Sequence, residues 1–137
     1  MKLETIMTKV VISVEMDDTL ELVKEIFDNA KIHHVLVVED QRLVGVLSDR
    51  DLYRSISPNI GTSRYTYRDM ETLNKRVHTV MTRNPITLSR FADIMEAIEV
   101  FNTHRFSCIP ITDENNSVEG IITWRDIMKR LPYLLSQ

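Results

Sequence analysis

Gly45-Val46-Leu47-Ser48-Asp49-Arg50-Asp51-Leu52 and Gly120-Ile121-Ile122-Thr123-Trp124-Arg125-Asp126-Ile127 are the stretches on which the reading of this chain turns. Each is a glycine, an aliphatic pair, a hydroxyl residue, one variable residue, Arg-Asp and an aliphatic. Two copies of so particular a string point to an internal duplication, and a duplication constrains architecture more than local propensity does. Working outward, the correspondence continues. Ile6-Met7-Thr8 returns as Val80-Met81-Thr82, Ile12-Ser13-Val14 as Ile86-Thr87-Leu88, and Glu25-Ile26-Phe27 as Glu99-Val100-Phe101, all at an offset of 74 residues. The closing strings are offset by 75, which places one inserted residue in the polar turn before them, where an insertion is tolerated.

Each copy predicts the order β-α-β-β-α. Leu20, Val23, Ile26, Phe27 and Ala30 fall on one helical stripe behind the capping candidates Asp18 and Thr19, and Ile94, Ala97, Ile98 and Phe101 form its counterpart. Val35 to Val38 and Leu43 to Leu47 predict two strands around the turn Glu39 to Arg42, and Ile109 to Ile111 and Val118 to Ile122 predict their twins around Asp113 to Asn116. These runs read as apolar on both faces, so each small sheet should be covered on both sides. The fold class is α/β (α+β), with repeats at 1–57 and 77–137 and a connection with a lead-in helix at 58–76. Met70, Leu73 and Val77 supply the face of that helix. A unit of about 50 residues buries too little surface alone, so the copies are expected to pack together and to leave a crevice as the natural ligand site.

In both copies the apolar strand ends in a hydroxyl residue followed three positions later by an acid: Ser48 with Asp51, and Thr123 with Asp126. The structural account is a capping box. Thr66 and Asp69 have the same spacing without a strand before them, so spacing alone does not define a site. The functional account is that a strand entering a helix offers free N–H groups to an anion, while the acid suits a ribose diol and the hydroxyl a phosphate. Arg50 and Arg125 add local positive charge, or else pair with Asp51 and Asp126 or face solvent.

The duplicated β-α-β-β-α order, the opening Met-Thr and the Gly-aliphatic-aliphatic-Ser/Thr-x-Arg-Asp string together resemble a tandem pair of cystathionine beta-synthase (CBS) domains, also called a Bateman module. The resemblance covers nearly the whole chain. It implies two repeats related by pseudo-two-fold symmetry and a regulatory module that binds an adenine nucleotide (AMP, ADP or ATP) or S-adenosylmethionine through Ser48, Asp51, Thr123 and Asp126. It also implies that His33 and His34 stand where a basic doublet reaches phosphates, whereas Ser107 and Cys108 in the second copy are not basic. The two sites should therefore differ in their preference for charge. The proline usual in the second strand is present as Pro110 and replaced by Leu36 in the first copy. Val11, Ile12, Pro85 and Ile86 are implied for an apolar adenine slot.

With 137 residues, 43% hydrophobic and 27% charged, the chain suits one compact domain, and its net charge of −3 argues against nucleic acid as a partner. No apolar window approaches membrane-spanning length, and the lone Cys108 in an apolar run fits a reducing cytoplasm. No nucleophile with a local base, metal cluster or glycine-rich phosphate loop is legible, so no catalysis, no metal and no required cofactor are expected. Arg64, Tyr65, Tyr67 and Arg68 form a basic-aromatic group, read as a connecting loop that packs on its own module rather than a stacking platform. Apolar residues near the C-terminus, Leu131, Leu134 and Leu135, suggest a homodimer, whose output would pass to a separate effector protein. The alternative is a structural dimerisation module without a ligand.

Overall fold

The computed structural model describes residues 1–136 and divides into two compact units. One comprises Ile12–Asp40 and Val44–Asn84; the other comprises Met1–Val11, Gln41–Leu43 and the chain from Pro85 onward. Each unit thus takes its opening segment from the other sequence repeat.

In the unit built on the first repeat, β1 (Ser13–Glu15), α1 (Leu20–Asn29), β2 (His34–Glu39), β3 (Arg42–Ser48) and α2 (Asp49–Ser55) follow in the expected order. The short helix α3 (Tyr67–Glu71) and strand β4 (Thr82–Arg83) complete it. The sheet order is β1-β2-β3-β4, with β1 parallel to β2 and β4 antiparallel to β3. Thr19 caps α1 by accepting from Leu22 N, and the apolar stripe of that helix puts Leu20 and Val23 fully inside. They meet Val14, Val35, Val37, Leu47, Leu52, Leu73 and Val77 in one core. Each such side chain contributes about 1.5–3 kcal/mol on burial. Asp40 and Gln41 both take positive φ (50° and 67°), the backbone of a two-residue turn whose twist suits β2 and β3.

The second unit repeats the plan with α4 (Ile94–Thr103), β5 (Cys108–Thr112), β6 (Val118–Thr123) and α5 (Trp124–Leu135). Its opening strand is reduced to a single bridge, Leu88 to Ile111. The inserted residue lies in the turn before β6, where Asp113 Oδ1 accepts from the amides of Asn115 (2.8 Å) and Ser117 (2.9 Å). Leu3, Ile6, Ile94, Ala97, Phe101, Ile109, Ile111, Ile122 and Ile127 form the core. β5 is buried along its whole length, as a two-sided apolar strand should be, whereas β3 alternates buried and half-buried positions and so corrects the expectation of uniform coverage.

The lead-in helix is also corrected. Helix α3 ends at Glu71, a 3-10 turn spans Thr72–Asn74, and Lys75 and Arg76 are extended before a second 3-10 turn at Val77–Thr79. The cause is backbone pairing. Leu20 N donates to Lys75 O (2.9 Å) and Val77 N to Asp18 O (2.8 Å), bonds that a continuous helix could not offer. Leu73 and Val77 still reach the core, while Met70 remains 40% exposed.

The opening Met-Thr owes its place to the two strand glycines. Thr8 and Ile121 exchange both backbone hydrogen bonds at 2.9 Å, and a Cβ on Gly120 would lie 2.9 Å from both the Thr8 carbonyl oxygen and Met7 Sδ. At Gly45 the corresponding distances are 3.0 Å to the Thr82 carbonyl and 2.6 Å to Met81 Sδ. Gly120→Ala is therefore expected to lower the unfolding free energy by about 1–3 kcal/mol, measured from the urea midpoint. Adding Met7→Ala should not restore it, because the rigid Thr8 carbonyl remains in the way.

Candidate functional site

The hydroxyl-acid pairs sit where strand gives way to helix in each unit. In the first-repeat unit Ser48 is the N-cap of α2: its Oγ accepts from Asp51 N at 3.1 Å and Asp51 Oδ2 accepts from Ser48 N at 2.9 Å. The capping box is thus present. It occupies only one oxygen of Asp51, and Oδ1 makes no hydrogen bond among the described residues. Asp51 lines a surface cavity of about 500 Å³ with Arg54, Ser55, Lys75, Thr79 and Val80. Asp51, Arg54 and Ser55 project from one face of α2 at helical spacing, and the extended Lys75 faces them, its ammonium donating to Ser55 O at 2.7 Å. One carboxylate, two cations and a hydroxyl converge there. α2 is only seven residues long, so these side chains rather than a helix field define the chemistry.

In the other unit Thr123 is the N-cap of α5. Asp126 Oδ2 accepts from Thr123 N at 2.9 Å and from the Thr123 hydroxyl at 3.2 Å, and Asp126 Oδ1 accepts from the Thr8 hydroxyl at 3.0 Å. Both oxygens are thus engaged within the protein. A cavity of about 440 Å³ in the same unit is lined by Met1, Thr5, Arg130, Tyr133 and Leu134, and neither Thr123 nor Asp126 is part of its lining. The two acids differ in their surroundings: Asp51 shares a cavity with Arg54 and Lys75, whereas Asp126 is engaged by Thr123 and Thr8.

His33 is exposed and its Nδ1 lies 2.8 Å from Asp49 Oδ2. His34 opens β2; burial holds its pKa below the ordinary value of 6.5, opposed by Asp49, so it is neutral at pH 7. Of the two, His33 is the exposed one, and its carboxylate partner Asp49 competes with any phosphate. Their counterparts Ser107 and Cys108 are exposed and buried respectively. Arg50 and Arg125 are exposed and form no ion pair among the described residues, so of the readings open for them the pairing with Asp51 and Asp126 is absent. Val11, Ile12, Pro85 and Ile86 are all half-buried, and Ile12 packs against the first core while its carbonyl accepts from Leu36 N. Thr8, Arg54 and Lys75 escaped the sequence reading. Thr8 had a signal in the repeated Met-Thr, whereas Lys75 had none, because its place follows from the broken lead-in helix. Among the described residues no group of three or more His, Cys, Asp or Glu could hold a metal, and no helix is long and apolar enough to cross a membrane.

Fold and site together define a duplicated β-α-β-β-α module with a capped hydroxyl-acid pair in each copy. The CBS domain profile matches residues 3–58 and 77–133, and the chain belongs to the CBS-domain family. It is 34% identical over 117 residues to inosine-5'-monophosphate dehydrogenase of Helicobacter pylori, covering 84% of this chain but only 21% of that enzyme. It is 27% identical over 128 residues to the CBS domain-containing protein DDB_G0289609 of Dictyostelium discoideum, covering 92% of this chain and 88% of the relative. Among solved structures, the CBS domain pair of protein MJ0100, in complex with 5'-methylthioadenosine and S-adenosyl-L-methionine, shares the fold with a TM-score of 0.79 at 20% identity, covering 96% of each chain. CBSX2 of Arabidopsis thaliana in complex with AMP shares it with a TM-score of 0.78 at 20% identity, covering 97% of each.

Ser48→Ala removes the acceptor for Asp51 N and is expected to cost about 1 kcal/mol of stability in urea denaturation. Arg50→Ala, on the solvated face beside it, should stay within about 0.5 kcal/mol of the parent.

Proposed function

We propose that this chain is a regulatory module that binds an adenine nucleotide or related adenosyl ligand through Ser48 and Asp51 in one unit and Thr123 and Asp126 in the other, and passes the signal to a separate partner protein. The observation that carries the reading is the uncommitted Oδ1 of Asp51 on a cavity of about 500 Å³ that also holds Arg54 and Lys75. That volume suits a small molecule. A carboxylate oxygen with free lone pairs accepts from a ribose diol, and the two cations beside it compensate a phosphate. The ligands bound by the CBS pairs of MJ0100 and CBSX2 are all adenosyl compounds, which supports the class. The ligand acts as a regulator rather than a substrate, since the groups at the site bind and orient without supplying a nucleophile and base.

The test is isothermal titration with AMP, ADP, ATP and S-adenosylmethionine. Saturable binding by at least one is expected, weakened about tenfold or more by Asp51→Ala, the scale of one hydrogen bond to a charged group. Silence with all four would favour the second reading, a dimerisation module, which the exposed apolar residues Trp124, Met128 and Leu135 of α5 recommend. Sedimentation of the parent against Met128→Glu and Leu135→Glu would then show the dissociation of a homodimer.

A further inference from the structure

The segment that joins the repeats contains more structure than a connection needs. Between Ile56 and Leu73 only Ile60 packs against the first core. Residues 57–69 are nevertheless built in detail. Asp69 clasps the base of the loop: Oδ1 accepts from the Ser57 hydroxyl at 2.6 Å, and Oδ2 from the Thr66 amide at 2.7 Å and its hydroxyl at 3.1 Å. Hydrogen bonding, from Ser57 first and then Thr66, holds the Asp69 carboxyl below its ordinary range, so the clasp is charged at neutral pH. Further along, Asn59 O accepts from the Thr62 amide (3.1 Å) and hydroxyl (2.7 Å), and Thr62 Oγ1 accepts from Arg64 N at 3.2 Å.

This frame displays Arg64, Tyr65, Tyr67 and Arg68 to solvent, with Tyr65 55% and Tyr67 80% exposed. The loop packs on its own module through Ile60, but these four side chains stand outside that contact, exposed to solvent. Neither arginine forms an ion pair, and neither tyrosine contacts another ring, among the described residues. The only acid of residues 57–69 is Asp69, and it is spent on the clasp. What remains outward is positive and aromatic on a preorganised backbone, which lowers the ordering cost of an encounter. Tyrosine and arginine are the residues that anchor protein interfaces, and lysine, depleted there, is absent from residues 58–74. A track for a phosphate backbone would call for lysines and a positive chain, and this chain carries −3.

We infer that the loop 57–69 is a docking surface for an acidic segment of a partner protein, in which Arg64 and Arg68 pair with carboxylates and Tyr65 and Tyr67 supply the contact area. The inference deepens the reading that output passes to a separate protein and does not require a bound nucleotide, so its test is run without one and its failure leaves the ligand titration unaffected. Fluorescence anisotropy of the full chain with a labelled glutamate-rich peptide, and with an oligothymidylate of matched charge, decides it. The peptide is expected to bind in a salt-dependent manner, and Arg64→Ala with Arg68→Ala, or Tyr65→Ala with Tyr67→Ala, to weaken it about tenfold or more. Unchanged thermal midpoints in both double variants would show that the loss is local. Absence of saturable peptide binding, equal binding by the variants, or tighter binding of the oligothymidylate would overturn the inference, the last in favour of a nucleic-acid surface.

Discussion

Two backbone encounters, Gly120 against Thr8 and Gly45 against Thr82, are what the rest of this structure depends on. Each brings a glycine so close to a carbonyl that no Cβ fits in comfort, and each lays a methionine sulfur over the space the side chain would have taken. The encounter closes the edge of the small sheet in each unit and fixes the Thr8 hydroxyl on Asp126. An open strand edge is a site for wayward pairing, and here it is covered by a segment borrowed from the far repeat. The residues just before each Met-Thr, Leu3 and Ile6 in one unit and Leu73 and Val77 in the other, are core residues of the unit that receives the segment.

Much of this was legible in the amino-acid string, and the reasons are specific. The repeat offset of 74 residues and its one-residue jump located the paired strands of each copy, their helices and the turn at Asp113 to Asn116, because duplicated elements report on each other, while β4 at Thr82–Arg83 was not among the expected strands. The caps at Ser48 and Thr123 were legible because hydroxyl-x-x-acid after an apolar run has a local cause. The lead-in helix was misread because Leu73 and Val77 are spaced as on a helix, while backbone pairing with residues 16–20 draws the chain between them straight. No local pattern records a bond to a segment more than fifty residues away. Lys75 reaches the cavity for that same reason, and the capping box of Thr66 and Asp69, legible from its spacing, gains a partner that spacing does not show, the Ser57 hydroxyl on Asp69 Oδ1.

The two units show how duplication lets sites diverge without disturbing the fold. The capped acid is shared, but its surroundings are free to change because they come from helix faces and linkers. Asp51 keeps an oxygen open beside two cations, whereas Asp126 has both oxygens occupied by Thr8 and Thr123.

The borrowing of opening segments also ties the fates of the two copies. Each repeat carries both a Met-Thr and a glycine strand, yet Thr8 meets Gly120 and Thr82 meets Gly45, so neither copy seals its sheet with its own residues. A side chain introduced at either glycine therefore strikes the first residues of the opposite repeat before it disturbs its own.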